Sequence, residues 1–167
     1  MRIAMIAAMC ASAFGIAATA PPFQMQVLNG RTVSFGQYRG KVLAVAFILT
    51  TCPHCQDLTK ALKPLSREYA PRGVQFLECA FNEDAPATMP EFLDQFHPPF
   101  PVGWSSGAAV RAYLHYSTLE ANFFVPHMVF LDRTGVVRGD FPGDSDFFKK
   151  PEENIRGQLE KMLKGSR

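Results

Sequence analysis

A chain of 167 residues, 47% of them hydrophobic, has material for one domain with a sizeable core and is short for two. A formal net charge of +2, with no long run of one sign, argues against nucleic acid as a partner. Fifteen Phe against one Trp mark a packed, apolar domain.

Arg2 is the only charge in the first twenty residues, and Ile3 to Ala18 is almost wholly apolar. With the small residues Ala18-Thr19-Ala20 behind it, the segment 1–20 reads as a secretory signal peptide. The alternative is an N-terminal membrane anchor through residues 3–18, which is short against the roughly 20 residues usual for a span. Cys10 follows Ala8-Met9 and lacks the small-residue context of a lipidation site. The expectation is export to the periplasm or cell envelope, with residues 21–167 forming the folded domain.

Val27 to Ser34 reads as two short strands around the Asn29-Gly30 turn. Lys41 to Leu49 is an unalternating apolar run, the pattern of a strand covered on both faces. Leu58, Leu62, Leu65 and Tyr69 recur at helical spacing up to Pro71-Arg72-Gly73, with Pro64 expected to kink the helix. Val74 to Phe81 is a second strand, Thr88 to Phe96 a helix, and His97 to Pro101 a Pro-rich loop. Gly107 to Tyr116 is a further helical segment. His127 to Asp132 and Val136 to Gly139 form a hairpin across Arg133-Thr134-Gly135. Glu152 to Lys164 closes the chain as an amphipathic helix behind Pro151, with cationic residues in its last turn. The order predicts an α/β domain: a central mixed sheet flanked by helices, with an N-terminal β-hairpin extension.

Cys52-Pro53-His54-Cys55 stands where the apolar strand ends and the helix begins. Two thiols two residues apart can form a disulfide reversibly, and a helix N-terminus favours the thiolate, the reactive form. Pro53 suits a first helical position, and His54 can add positive charge or a hydrogen bond. Stabilising the thiolate makes the disulfide the stronger oxidant. Cys52 is then the attacking sulfur, and Cys55, one turn further in, the resolving one. Half of a zinc site is the competing reading, but no second close pair of ligands exists in the chain. Cys79 reads as a small core residue, with a third redox thiol as the sharper alternative.

The strand, the Cys-x-x-Cys helix start, Val125-Pro126 and the hairpin Leu131 to Val136 together resemble thioredoxin-fold proteins. The layout is similar to the exported TlpA/ResA-type, redoxin-like oxidoreductases, over roughly residues 23–165. The resemblance implies a three-layer thioredoxin-like sandwich and a cis-proline at Pro126 facing the cysteines, with Val125 and Thr51 helping to bind a substrate backbone. It implies no cofactor beyond the Cys52–Cys55 disulfide. The implied partners are protein thiols or disulfides and a membrane redox protein, met by a monomer.

Three departures from that pattern matter. Thr51 replaces a Trp common before the first cysteine, and Ala46 stands where thioredoxins carry a buried Asp that relays a proton to the second cysteine. The Pro-His pair, and Val before the proline, are instead similar to the disulfide oxidase DsbA. Glu78 and Asp57 could replace the missing acid, but the reading favoured here makes both solvated charges. The alternative function is a Sco-like copper-binding chaperone using Cys52, Cys55 and His127, since thiolates and imidazole suit copper. For His127 itself, a partly buried histidine with a satisfied hydrogen bond is the favoured reading. A thiol peroxidase fits poorly, because Leu49 stands three residues before Cys52 where peroxidases place Thr. His97 and His115 read as surface groups. Phe123-Phe124 and Phe147-Phe148 read as core or groove lining.

Overall fold

A computed structural model describes residues 19–117 and 122–165. Most of segment 1–20, where the sequence places a signal peptide, lies outside these residues. The strands are β1 (Gln24–Gln26), β2 (Thr32–Ser34), β3 (Val42–Ile48), β4 (Val74–Ala80), β5 (Val102–Trp104), β6 (His127–Leu131) and β7 (Val137–Phe141). The helices are α1 (Pro53–Tyr69), α2 (Ala85–Phe96), α3 (Gly107–Tyr113) and α4 (Pro151–Lys164).

One mixed sheet runs in the order β2-β1-β5-β4-β3-β6-β7. The central strand β3 is buried at all seven positions. It pairs parallel to β4, with Ala46 opposite Glu78, and antiparallel to β6, with Phe47 opposite His127. Successive side chains point to opposite faces, so β3 feeds two cores at once. Val42, Ala44, Ala46 and Ile48 meet α1, α2 and α4 on one face. Leu43, Val45 and Phe47 meet α3 and the N-terminal strands on the other. The unalternating sequence of β3 is the direct record of this double coverage.

The helix α1 buries Leu58, Leu62, Leu65 and Tyr69 against the first face. Each such leucine contributes about 1.5–3 kcal/mol of transfer free energy. The opposite face holds an aromatic group, in which the Phe23, Phe35 and Tyr113 rings lie within 4.8–6.3 Å of one another or of Phe47. Gly103 admits β1 next to β5, because a Cβ there would stand 2.2 Å from the Gln26 carbonyl oxygen. The described chain enters beside the β6–β7 turn, where the Ala20 N–H donates to the Gly135 carbonyl at 2.8 Å.

Several elements differ from expectation in extent. The Asn29-Gly30 turn is present, with Gly30 at φ +77°, but its first strand starts at Gln24 and ends at Gln26. Helix α2 starts earlier, at Ala85, because Pro86 sits in its first turn, where no N–H is needed. Pro64 lies inside α1, as the sequence places it, and the helix continues to Tyr69. Helix α3 stops at Tyr113, and His115 beyond it has φ +60°. The sequence reading has no strand at Val102–Trp104.

Candidate functional site

Cys52 is the residue before the first turn of α1, in extended conformation at φ −81° and ψ 121°, with Pro53 opening the helix. Its carbonyl accepts from the Gln56 N–H at 3.0 Å, and its own N–H donates to Leu49 at 3.1 Å. Cys52 is partly exposed and Cys55 is buried, and both are thiols. Burial pushes the Cys55 thiol well above its usual range; hydrogen bonding with Cys52 and the charges of Cys52 and Glu78 push the same way, against a backbone bond at Leu49. One exposed and one buried sulfur, a helical turn apart, are the asymmetry that an attacking and a resolving thiol require.

The approach to Cys52 is pinned by side chains the sequence reading did not single out. Asn82 accepts from the Thr50 N–H at 3.1 Å and donates to the Thr50 hydroxyl at 2.9 Å. The Thr50 and Thr88 hydroxyls are 2.7 Å apart, and Gln56 donates to the Thr50 carbonyl at 2.9 Å. Loop, helix and the start of α2 are thus tied together at residue 50. These partners are polar groups far apart in sequence, and no local pattern announces them.

Val125-Pro126 is a cis peptide. With His54, Leu58 and Phe148 it lines a groove of about 470 Å³ beside the cysteines. Gly143 closes on this loop, and its N–H donates to the Phe124 carbonyl at 3.3 Å. Thr51 and His54 are exposed, Val125 is half-buried, and Phe124 is 47% exposed. A larger opening, about 880 Å³, is bounded by Gln24, Trp104, Ser106 and Arg111; the groove meets the Cys52–Cys55 segment through His54, and neither cysteine lines either space.

Glu78 corrects the sequence reading. It is not a solvated charge but wholly buried, because β4 is covered on both faces and Glu78 projects to the α1 side, beside Ala46. Its Oε1 accepts from the Thr59 hydroxyl at 2.9 Å, while Oε2 has no partner. Burial raises its carboxyl to about 8, with the Thr59 bond pulling the other way. Asp57 does stand in solvent, paired with Lys60 at 2.8 Å.

The copper-site reading is also corrected. His127 opposes Phe47 and therefore projects to the face away from α1, stacked on Phe123. Cys55 belongs to the other core. His127 is 1% exposed, bonded to Asp140 through Nε2, with Nδ1 unpartnered. Among the described residues no group of three His, Cys, Asp or Glu is placed to hold a metal ion. Cys79 is buried on that same far face, its thiol raised by burial. His97 and His115 are exposed, Phe123 packs against Phe81 and Tyr116, and Phe147 stacks on Phe141.

The Redoxin family profile matches residues 16–159. A thiol:disulfide interchange protein of the thioredoxin family from Chlorobium tepidum TLS superposes with a TM-score of 0.73 at 22% identity, over 90% of this chain and 99% of that one. A thiol:disulfide interchange protein from Bacteroides sp. does so with 0.70 at 16% identity, over 92% and 93%. Both likenesses establish the fold, which is thioredoxin-like. Among curated proteins, "Probable glutathione peroxidase 8-B" of Xenopus laevis is 32% identical over 72 residues, 41% of this chain. The chain spans about a third of that relative, 34% of its length.

Proposed function

The chain belongs to the Redoxin family, and we propose that it is a thiol–disulfide oxidoreductase that exchanges the Cys52–Cys55 dithiol and disulfide with protein substrates through a mixed disulfide on Cys52. The observation that carries this reading is the pairing of a partly exposed Cys52 at a helix start with a buried Cys55 one turn below. The thiolate of Cys52 attacks a substrate disulfide, one substrate sulfur leaves as thiolate, and Cys55 then displaces the second. The groove walled by His54, Val125, Pro126 and Phe148 would seat an extended substrate segment, with Val125 and Thr51 offering backbone groups. His54 tunes the pair, and no cofactor other than the disulfide takes part. The protein acts as an exported monomer, supplied or drained of electrons by a membrane redox protein. None of the described helices is long and apolar enough to cross a membrane.

The test is a trapping experiment. Cys55→Ser accumulates mixed disulfides with envelope proteins on Cys52, and Cys52→Ser accumulates none. Absence of any trapped protein in the Cys55→Ser variant rejects the reading. The reduction potential of the couple then assigns the direction: near thioredoxin for a reductase, well above the glutathione range for an oxidant.

A further inference from the structure

His127, the residue that follows Pro126, takes no part in the exchange scheme, yet its surroundings are specific. It heads β6 on the face of Val129 and Leu131, away from α1. Asp140 on β7 stands opposite Val129, so Asp140 and His127 are diagonal neighbours across the strand pair, a spacing that long side chains can bridge. The bridge is made: His127 Nε2 bonds Asp140 Oδ1. The ring is buried, whereas Asp140 stays half in solvent. Nδ1 is buried and unpartnered, which is costly at a position where Val or Leu would leave nothing unsatisfied. Packing alone does not account for a histidine here.

The ring folds back over the loop that it ends. Phe123, four residues earlier, stacks on it with centroids 5.9 Å apart and planes 23° apart. Other sides of Phe123 are taken by Phe81 at 5.3 Å, Tyr116 at 4.7 Å and the Arg111 guanidinium at 4.9 Å. From this anchor the side chains alternate: Phe123 half-buried, Phe124 out in solvent, Val125 packed against the α1 core. Gly143 adds a further hold through the Phe124 carbonyl. We propose that His127, fixed by Asp140, is a positioning residue for protein substrates. It holds residues 123–126 in the shape that presents Phe124 and the Val125 backbone to an incoming cysteine-bearing segment. This rests on the exchange reading above. The ring lies on the face opposite Cys55, so its effect is on docking and not on the chemical step. Without the bond to Asp140, the ring and the Phe123 stacked on it lose their fixed orientation. The loop must then be ordered at each encounter, which weakens docking.

The test uses the Cys55→Ser protein with Cys52 held as a mixed disulfide with thionitrobenzoate. A substrate thiolate attacks the Cys52 sulfur and forms the new disulfide, and thionitrobenzoate leaves with the electron pair of the broken bond. Its colour times the step, and the mixed disulfide is itself the oxidant. Reduced, unfolded ribonuclease A serves as the protein thiol and 2-mercaptoethanol as the small one. With Asp140 in place, the protein thiol saturates the rate at a definite half-saturating concentration. Asp140→Ala, a change at a half-exposed site, raises that concentration about tenfold, the scale of a lost bond to a charged group. The limiting rate and the 2-mercaptoethanol rate stay unchanged. Asp140→Asn keeps an acceptor for the ring and restores most of the parent affinity. A half-saturating concentration unmoved by Asp140→Ala overturns the proposal. So does an equal loss with 2-mercaptoethanol, or an Asn variant no better than Ala. If Asp140→Ala does not fold, His127→Phe, which keeps the stack and loses the bond, decides on the same rise. A parent protein that shows no saturation, and reacts no faster with the protein thiol than with 2-mercaptoethanol, rejects the exchange reading instead.

Discussion

Replacing Glu78 by Gln should make the protein more stable, and by an amount that depends on pH. The wholly buried carboxyl is raised from 4.5 to about 8, chiefly by burial. Below the unfolded value both states hold the proton, and Glu78 is neutral to stability. Between the two values the unfolded chain has lost the proton and the native one retains it. Stability therefore falls as pH rises, by about 1.4 kcal/mol per unit for this group, and the fall totals about 5 kcal/mol once the pH passes 8. At pH 7 the penalty is about 3 kcal/mol by the same relation. Gln keeps a carbonyl oxygen for Thr59 and cannot ionise, so the penalty disappears. Urea unfolding of the reduced proteins at pH 5, 7 and 8.5 reads the difference from the shift in midpoint at constant slope. The Gln variant should gain little at pH 5 and most at pH 8.5. Two curves that stay parallel across this range would refute both the burial argument and the raised carboxyl.

Three further outcomes follow from other contacts. Asn82→Ala removes two bonds to Thr50 and leaves its backbone N–H without a partner, which should lower stability by about 1–3 kcal/mol and slow exchange at Cys52; thermal unfolding and a protein-substrate assay measure both. Gly143→Ala would put a Cβ 2.8 Å from Phe124 and Val125 backbone atoms. It should therefore impair exchange with a protein substrate while leaving the rate with a small disulfide reagent unchanged. Asp132 would be raised by its partial burial, but bonds from Thr134, Arg138 and the Val136 backbone hold it at about 2. Its contribution is present above the ordinary carboxylate range and lost as pH falls toward 2. Asp132→Asn should thus be less stable at pH 7, with the gap closing in acid denaturation.

The parts of the fold that could be read from the chain are those with strong periodicity. The double coverage of β3, the α1 leucines and the turns at Gly30 and Gly135 all follow from local pattern. Strand β5 escaped because three residues between Pro101 and Ser105 carry no period, and its place is set by pairing with β4 and β1. The thiol pair at the start of α1 was legible from its spacing together with its place between the apolar strand and the helical repeat. The acid beneath it was half legible: a strand with little alternation between two covering layers buries nearly every side chain, Glu78 included, and in β4 only Gln75 is half-buried. The face that His127 occupies is decided by register, through its pairing with Phe47, which local sequence does not carry. The Asn82–Thr50–Thr88 ties are invisible to any local rule, because they join three separate segments.

The bond between Ala20 and Gly135 has a consequence for how the thiols meet their partners. Ala20 is bonded to Gly135, in the turn beyond the far end of β6, whereas Cys52 lies just past the opposite end of β3. Seven strand residues, at about 3.3 Å each, set these poles roughly 20 Å or more apart. A domain approached or held from its Ala20–Gly135 end would present its reactive sulfur at the opposite pole, like a lamp on a post. Large partners could then dock on Phe124 and the neighbouring groove without colliding with whatever holds the base.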